Sequence, residues 1–185
     1  MLSTFPKIEV INKCPPEKMN KNYIIMANHQ SAFDIFLIYG YLPFYFNFLS
    51  KKEVFEIPIF GRAMKILGTA SVDRGNRQGL KDTIKEMEEC LARGASILIF
   101  PEGTRSEDGK ILPFKKGGFL LAKKVKTEIL PVVIVGTKDI MPKKSIWVTP
   151  FRKVKFYILE PISETENYNE LMERVRNLMI KYAEQ

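Results

Sequence analysis

A chain of 185 residues, 45% hydrophobic and 27% charged, has the length and composition of one ordinary globular domain. Its 29 Lys and Arg against 21 Asp and Glu leave a net charge of +8, which favours an anionic partner: a phosphate-bearing substrate, an acidic lipid or nucleic acid. The two cysteines, Cys14 and Cys90, stand in no metal or redox spacing and read as reduced thiols.

The opening MLSTFPKIEV has no charged segment followed by an apolar run, so it does not read as a signal peptide. Residues 22–27 read as a buried strand. A helix is expected from about Ser31 to between Gly40 and Pro43. The apolar stretch Ile35–Leu49 is broken by Gly40, Pro43 and Asn47, and it is shorter than the roughly 20 residues that span a bilayer. No transmembrane helix is expected.

FYFNFLS (44–50) reads as a second strand. A short helix interrupted by Pro58 is expected within KEVFEIPIFGRAMKILG, and TASVDR (69–74) is short and strand-like. Residues 77–92 form an amphipathic pattern with Leu80, Ile84, Met87 and Leu91 on one face and Gly94 as the cap. SILIF (96–100) is a strand ending at Pro101, GGFLLAKKV is helical, and ILPVVIV (129–135) and KVKFYILEPI (153–162) are strands. A terminal helix over 167–183 should turn Leu171, Val175, Leu178 and Tyr182 inward. No repeat or linker appears, so residues 1–185 read as a single domain. Alternating strands and helices make it α/β: a mixed, mostly parallel sheet flanked by helices.

In such sheets ligands gather beyond the carboxyl ends of strands. Three polar motifs fall there: NHQSAFD (28–34), VDRGN (72–76) and PEGTRS (101–106). The first contains His29, the one histidine of the chain, five residues before Asp34. On a regular helix that spacing puts two side chains about 140° apart. Across a strand–turn–helix junction the carboxylate can reach back to one imidazole nitrogen and leave the other free as a base. The plainer reading is that SAFD is a capping box in which Asp34 and Ser31 cap a helix. In PEGTRS, Arg105 offers a fork suited to phosphate, and Glu102 can accept from a hydroxyl or orient a basic side chain. The plainer reading there is a surface turn with an internal ion pair.

Together these motifs resemble the glycerolipid acyltransferase family, most closely its lysophosphatidate acyltransferases. NHQSAFD is similar to the family's NHxxxxD block, GTASVDRGN (68–76) to a second block carrying an arginine, here Arg74, FPEGTRS to a third, and LPVVIVG (130–136) to a fourth with Pro131. KKEVFEIPIFG (51–61) and PFKKG (113–117) also resemble family stretches, and the likeness runs from about residue 8 to residue 160. Many members carry membrane-embedding helices ahead of the first block; here about 20 residues precede the first strand.

The resemblance implies acyl transfer from acyl-CoA or acyl-acyl carrier protein to the 2-hydroxyl of lysophosphatidate, giving phosphatidate. His29 would be the base and Asp34 its orienting partner. Arg74 and Arg105, with Lys51 and Lys115 behind them, would hold the acceptor phosphate. Glu102 would touch the glycerol or orient an arginine. Gly103 would offer an N–H to the phosphate or the oxyanion, with Thr104 beside it. No metal and no resident cofactor are called for. The partners implied are the lysophospholipid, the thioester donor and an anionic membrane, without nucleic acid, at the cytoplasmic face of the cell membrane.

The aromatic run 36–48 reads as core with one edge lining the acyl site; for Met64, Ile66 and Leu67 packing is the default. Two alternatives stay open. Glycerol-3-phosphate or another lysolipid would keep the chemistry and change the acceptor. A non-catalytic basic module would use the charge alone; no helix-turn-helix, zinc-finger or RNP motif supports a nucleic-acid version. The absence of G-x-S-x-G and HExxH argues against a classical hydrolase.

Overall fold

The run Ile24–Ala27 holds no charged or amide side chain and is buried at every position, which suits a strand covered on both faces of a sheet. The computed structural model describes residues 6–51, 70–72, 77–143, 149, 152–163 and 167–185. In chain order these form β1 (Lys7–Asn12), β2 (Ile24–Ala27), α1 (Phe33–Tyr41), β3 (Phe46–Lys51), β4 (Ala70–Val72) and α2 (Arg77–Ala92). They continue with β5 (Ser96–Ile99), α3 (Lys116–Lys124), β6 (Ile129–Val135), β7 (Lys153–Ile158) and α4 (Tyr168–Ala183).

The strands lie side by side in the order β1-β7-β6-β2-β5-β3-β4. Every pairing is parallel except β6 with β7, so β1 and β7 run against the other five. This is the mixed, mostly parallel sheet that the alternation of elements predicts. Side chains alternate across it. Ile24 and Met26 pack with Met87 of α2, Phe119 and Ala122 of α3, and Leu171, Val175 and Met179 of α4. Ile25 and Ala27 face the other way, onto Leu37 and Ile38 of α1.

Local chemistry ends the helices where composition says it should. Gly94 follows α2 with φ +84°, a conformation glycine adopts without a Cβ penalty. Asn167 caps α4 by accepting from the Asn169 and Glu170 N–H groups. Three details differ from the sequence reading. β1 had no counterpart there, α1 begins at Phe33 rather than Ser31, and α4 buries Met179 while Leu178 and Tyr182 are only partly covered. The helix expected around Pro58, and with it Met64, Ile66 and Leu67, lies outside the described residues.

Strands β2, β5 and β6 are parallel neighbours, so their carboxyl ends open on one edge of the sheet. The segments 28–32, 100–115 and 136–141 leave from those ends and meet there.

Candidate active site

The first step past β2 is held by a side chain. Asn28 is buried, and its amide donates to the Ile134 carbonyl at 2.9 Å and accepts from the Ile134 N–H at 2.7 Å. It thus prolongs the β2–β6 pairing with side-chain atoms and lets the main chain turn away. His29 comes next. Its side chain is 17% exposed, and its ring stacks on Phe100, the residue after β5, with centroids 4.0 Å apart.

Asp34, in the first turn of α1, is fully buried. Its Oδ2 lies 2.8 Å from His29 Nδ1 and also accepts the Gln30 and Ser31 N–H groups at 2.7 and 2.9 Å. Its Oδ1 accepts from the Thr137 hydroxyl at 2.5 Å. The Ser31 hydroxyl accepts from the Phe33 N–H and donates to the Met141 carbonyl. The two readings of SAFD are therefore both present: one carboxylate oxygen caps the turn and holds the imidazole.

The bonding pattern sets the tautomer. Oδ2 meets backbone donors on two sides, so it is an acceptor toward His29, and Nδ1 must carry the hydrogen. Nε2 then presents its lone pair, and it makes no hydrogen bond among the described residues. An imidazole held this way accepts a proton at Nε2 while a buried carboxylate stabilises the cation formed.

Behind His29, Gln30 is almost wholly buried and bridges the Gly109 carbonyl and the Gly136 N–H. Gly136 has φ +94°, and a Cβ there would collide with the Lys153 carbonyl, so only glycine fits where β6 turns toward Thr137.

Glu102 faces inward. It is 2% exposed, its Oε1 accepts the His29 N–H at 2.8 Å, and its Oε2 accepts the Leu112 N–H at 2.8 Å. Burial pushes its carboxyl up to about 7, against the pull of those two N–H groups. Both oxygens are thus occupied by backbone, where the sequence reading placed glycerol or an arginine. The Gly103 N–H is likewise taken inside the turn, by the Phe100 carbonyl at 3.1 Å.

The cations stand outside this buried layer. Lys115 is exposed and pinned by its N–H to the Pro101 carbonyl at 2.9 Å. Its side chain lies so close over Gly103, which has φ +70°, that a Cβ there would be 2.7 Å from Nζ. Thr104 is exposed and Arg105 half-buried. Neither Arg105 nor Lys115 has a carboxylate partner among the described residues. Arg74 and the side chain of Lys51 lie outside the described residues. Among those described, no three His, Cys, Asp or Glu side chains converge as metal ligands.

Residues 5–135 match the family model for acyltransferases. The chain belongs to the acyltransferase family. It is 39% identical to a chloroplastic 1-acyl-sn-glycerol-3-phosphate acyltransferase of Arabidopsis thaliana over 139 residues, 75% of this chain and 39% of that protein. It is 34% identical over 164 residues to the 1-acyl-sn-glycerol-3-phosphate acyltransferase of Helicobacter pylori, 86% of this chain and 69% of that one. The crystal structure of the 1-acyl-sn-glycerophosphate acyltransferase from Thermotoga maritima superposes with a TM-score of 0.77 at 33% identity, covering 95% of this chain and 71% of that one. The chain spans about two fifths of the length of the chloroplastic relatives.

Several residues of this candidate site were not singled out from the sequence. Asn28, Gln30, Thr137 and the Leu112 N–H all bear on the dyad or its loops. A polar residue directly after the apolar run 129–135 and its glycine is a signal that could have pointed to Thr137.

Proposed function

We propose that this chain moves a fatty acyl group from an acyl thioester, acyl-CoA or acyl-acyl carrier protein, to the 2-hydroxyl of lysophosphatidate. The reading rests on the His29 Nδ1–Asp34 Oδ2 contact of 2.8 Å, with Nε2 unbonded. The chain supplies a base and its partner, and the nucleophile comes from the substrate. Nε2 takes the hydroxyl proton as the oxygen attacks the thioester carbonyl. The tetrahedral intermediate expels the thiolate, which takes the proton back from Nε2, leaving ester and free thiol. A positioned base is worth roughly 10²–10⁴ in rate for so weak a nucleophile.

The acceptor phosphate lies against Arg105 and Lys115, with Arg74 and Lys51 as further partners in this reading. Its support is that both described cations lack a carboxylate partner beside the dyad. Thr104, exposed on the same turn, stays a contact for the acceptor.

The enzyme works as a peripheral protein on the cytoplasmic face of the cell membrane. No helix among the described residues is long and apolar enough to cross a bilayer. Residues 35–50 carry no charge, yet Phe36 is 65% and Tyr45 70% exposed, with Tyr39 and Tyr41 between them. Aromatic side chains with polar tips suit the headgroup boundary, and the net charge of +8 suits an anionic one. Phe36 lies in the first turn of α1, two residues past Asp34, so contact of that end of α1 with lipid would lie next to the dyad; Tyr45 stands just before β3, at the other end of the strands.

The experiment is a mass-spectrometric product screen pairing lysophosphatidate, glycerol-3-phosphate and other lysolipids with thioesters of several chain lengths. Phosphatidate as the main product supports the reading. Preference for glycerol-3-phosphate or another lysolipid would keep the chemistry and change the acceptor. No product with any pair would favour a basic membrane-binding module.

A further inference from the structure

We infer that Glu102 is a positioning residue for His29, acting through the backbone, and makes no contact with either substrate. This rests on the reading of His29 as the base. Glu102 joins two segments that no secondary structure holds together. One oxygen takes the N–H of His29 itself, and the other takes the N–H of Leu112, ten residues further on in the chain. The far segment is anchored in turn, because Arg176 of α4 donates to the Ile111 and Leu112 carbonyls at 3.2 and 3.3 Å. A second strut runs the other way, from the Ser106 N–H to the His29 carbonyl at 2.8 Å. The main chain of His29 is thereby clamped on both its N–H and its carbonyl by the 100–115 segment. With the backbone fixed, the stack on Phe100 and the bond to Asp34 hold the ring in its place.

Two backbone donors facing two oxygens call for a carboxyl group, whose two oxygens both accept. A glutamine presents one oxygen and one NH₂, so in either flip an N–H faces an N–H and one strut is lost. A protonated Glu102 keeps an acceptor lone pair on its hydroxyl oxygen, so protonation weakens one strut where glutamine removes it. The charged groups that bear on its carboxyl are Asp34, which raises it, and Arg176, which lowers it, and both are minor beside burial.

Glu102→Gln therefore separates positioning from substrate contact. Loss of a strut should lower kcat on the order of 10- to 100-fold, as for a misplaced catalytic group, with the KM for the acceptor changed less than about twofold. A group touching the acceptor would instead raise that KM. His29 is the one histidine, so its ring nitrogens give single, unambiguous NMR signals. In the wild-type chain they should report the Nδ1–H tautomer, and in Glu102→Gln that population should fall. This readout needs no turnover, so it stands even if the assigned reaction is wrong. A raised KM with kcat intact, an unchanged kcat, or a lower kcat with identical His29 signals would each overturn the inference. If the variant does not fold, the wild-type chain decides. Titrating Glu102 should shift the His29 and Leu112 amide protons in one common step, and amides that ignore that step would overturn it.

Discussion

Asp34 Oδ2 and His29 Nδ1 stand 2.8 Å apart, a distance that five residues on a regular helix would forbid. The contact exists because His29 precedes α1 and Asp34 lies in its first turn, with Gln30 and Ser31 N–H groups bonded to the same oxygen. Capping and imidazole orientation share one atom, and charge separates them.

Asp34→Asn tests that separation. The amide oxygen can still accept from Gln30, Ser31 and His29, while its NH₂ turns to the Thr137 hydroxyl. We expect thermal stability to fall by about 1 kcal/mol, the scale of one altered cap or hydrogen bond. Turnover should fall on the order of 10²-fold or more, because the imidazolium loses its counter-charge. Retained turnover with only stability changed would make Asp34 a cap and nothing else.

Arg105→Ala should raise the KM for the phosphate-bearing acceptor more than that for the acyl donor. Arg105→Lys should recover part of the loss, since lysine restores the charge but not the fork. Steady-state kinetics with each substrate varied in turn checks this. Equal effects on both would place Arg105 against the donor.

Much of this arrangement was legible in the sequence. The buried runs 24–27, 96–99 and 129–135 have lengths and compositions that fit strands, and the dyad is carried by a fixed local spacing. β1 was not read although Lys7-Ile8-Glu9-Val10 alternates as a strand does, because four alternating residues are a short signal and its place comes from pairing with β7. The inward face of α4 was set from Leu171, Val175, Leu178 and Tyr182, but the four-residue row through Met179 is the one buried. The direction of Glu102 could not be read either. Nothing in PEGTRS says which way a carboxylate points, and its two partners are main-chain groups. Thr137 reaches Asp34 across 103 positions, a contact made by the sheet order.

The titration of Glu102 gives a stability profile with a definite sign. Burial raises its carboxyl from 4.5 to about 7 in the folded chain. Between those values the folded state holds a proton that the unfolded state has released. The contribution is therefore complete below pH 4.5 and is lost as pH rises through about 7. Thermal melts of the wild-type chain and Glu102→Gln across this window should show the wild type losing stability relative to the variant. Parallel curves would place the carboxyl at its ordinary value.

Vesicle binding tests the lipid-facing role of the exposed aromatic residues in 36–45. The chain should co-sediment with phosphatidylglycerol-containing vesicles at low salt and release at high salt, as a basic surface does. Phe36→Ser with Tyr45→Ser should weaken binding at fixed salt by roughly tenfold or more, since one buried aromatic side chain alone is worth about tenfold. Binding by the double variant equal to that of the wild type would assign the contact to charge alone.

The most direct measurement is the turnover of His29→Ala with lysophosphatidate and an acyl thioester, beside the wild-type chain and at matched folding. With no second histidine to substitute, the rate should fall by roughly two orders of magnitude or more while the melting profile stays close to wild type. A folded His29→Ala chain that still forms phosphatidate at near the wild-type rate would contradict the account.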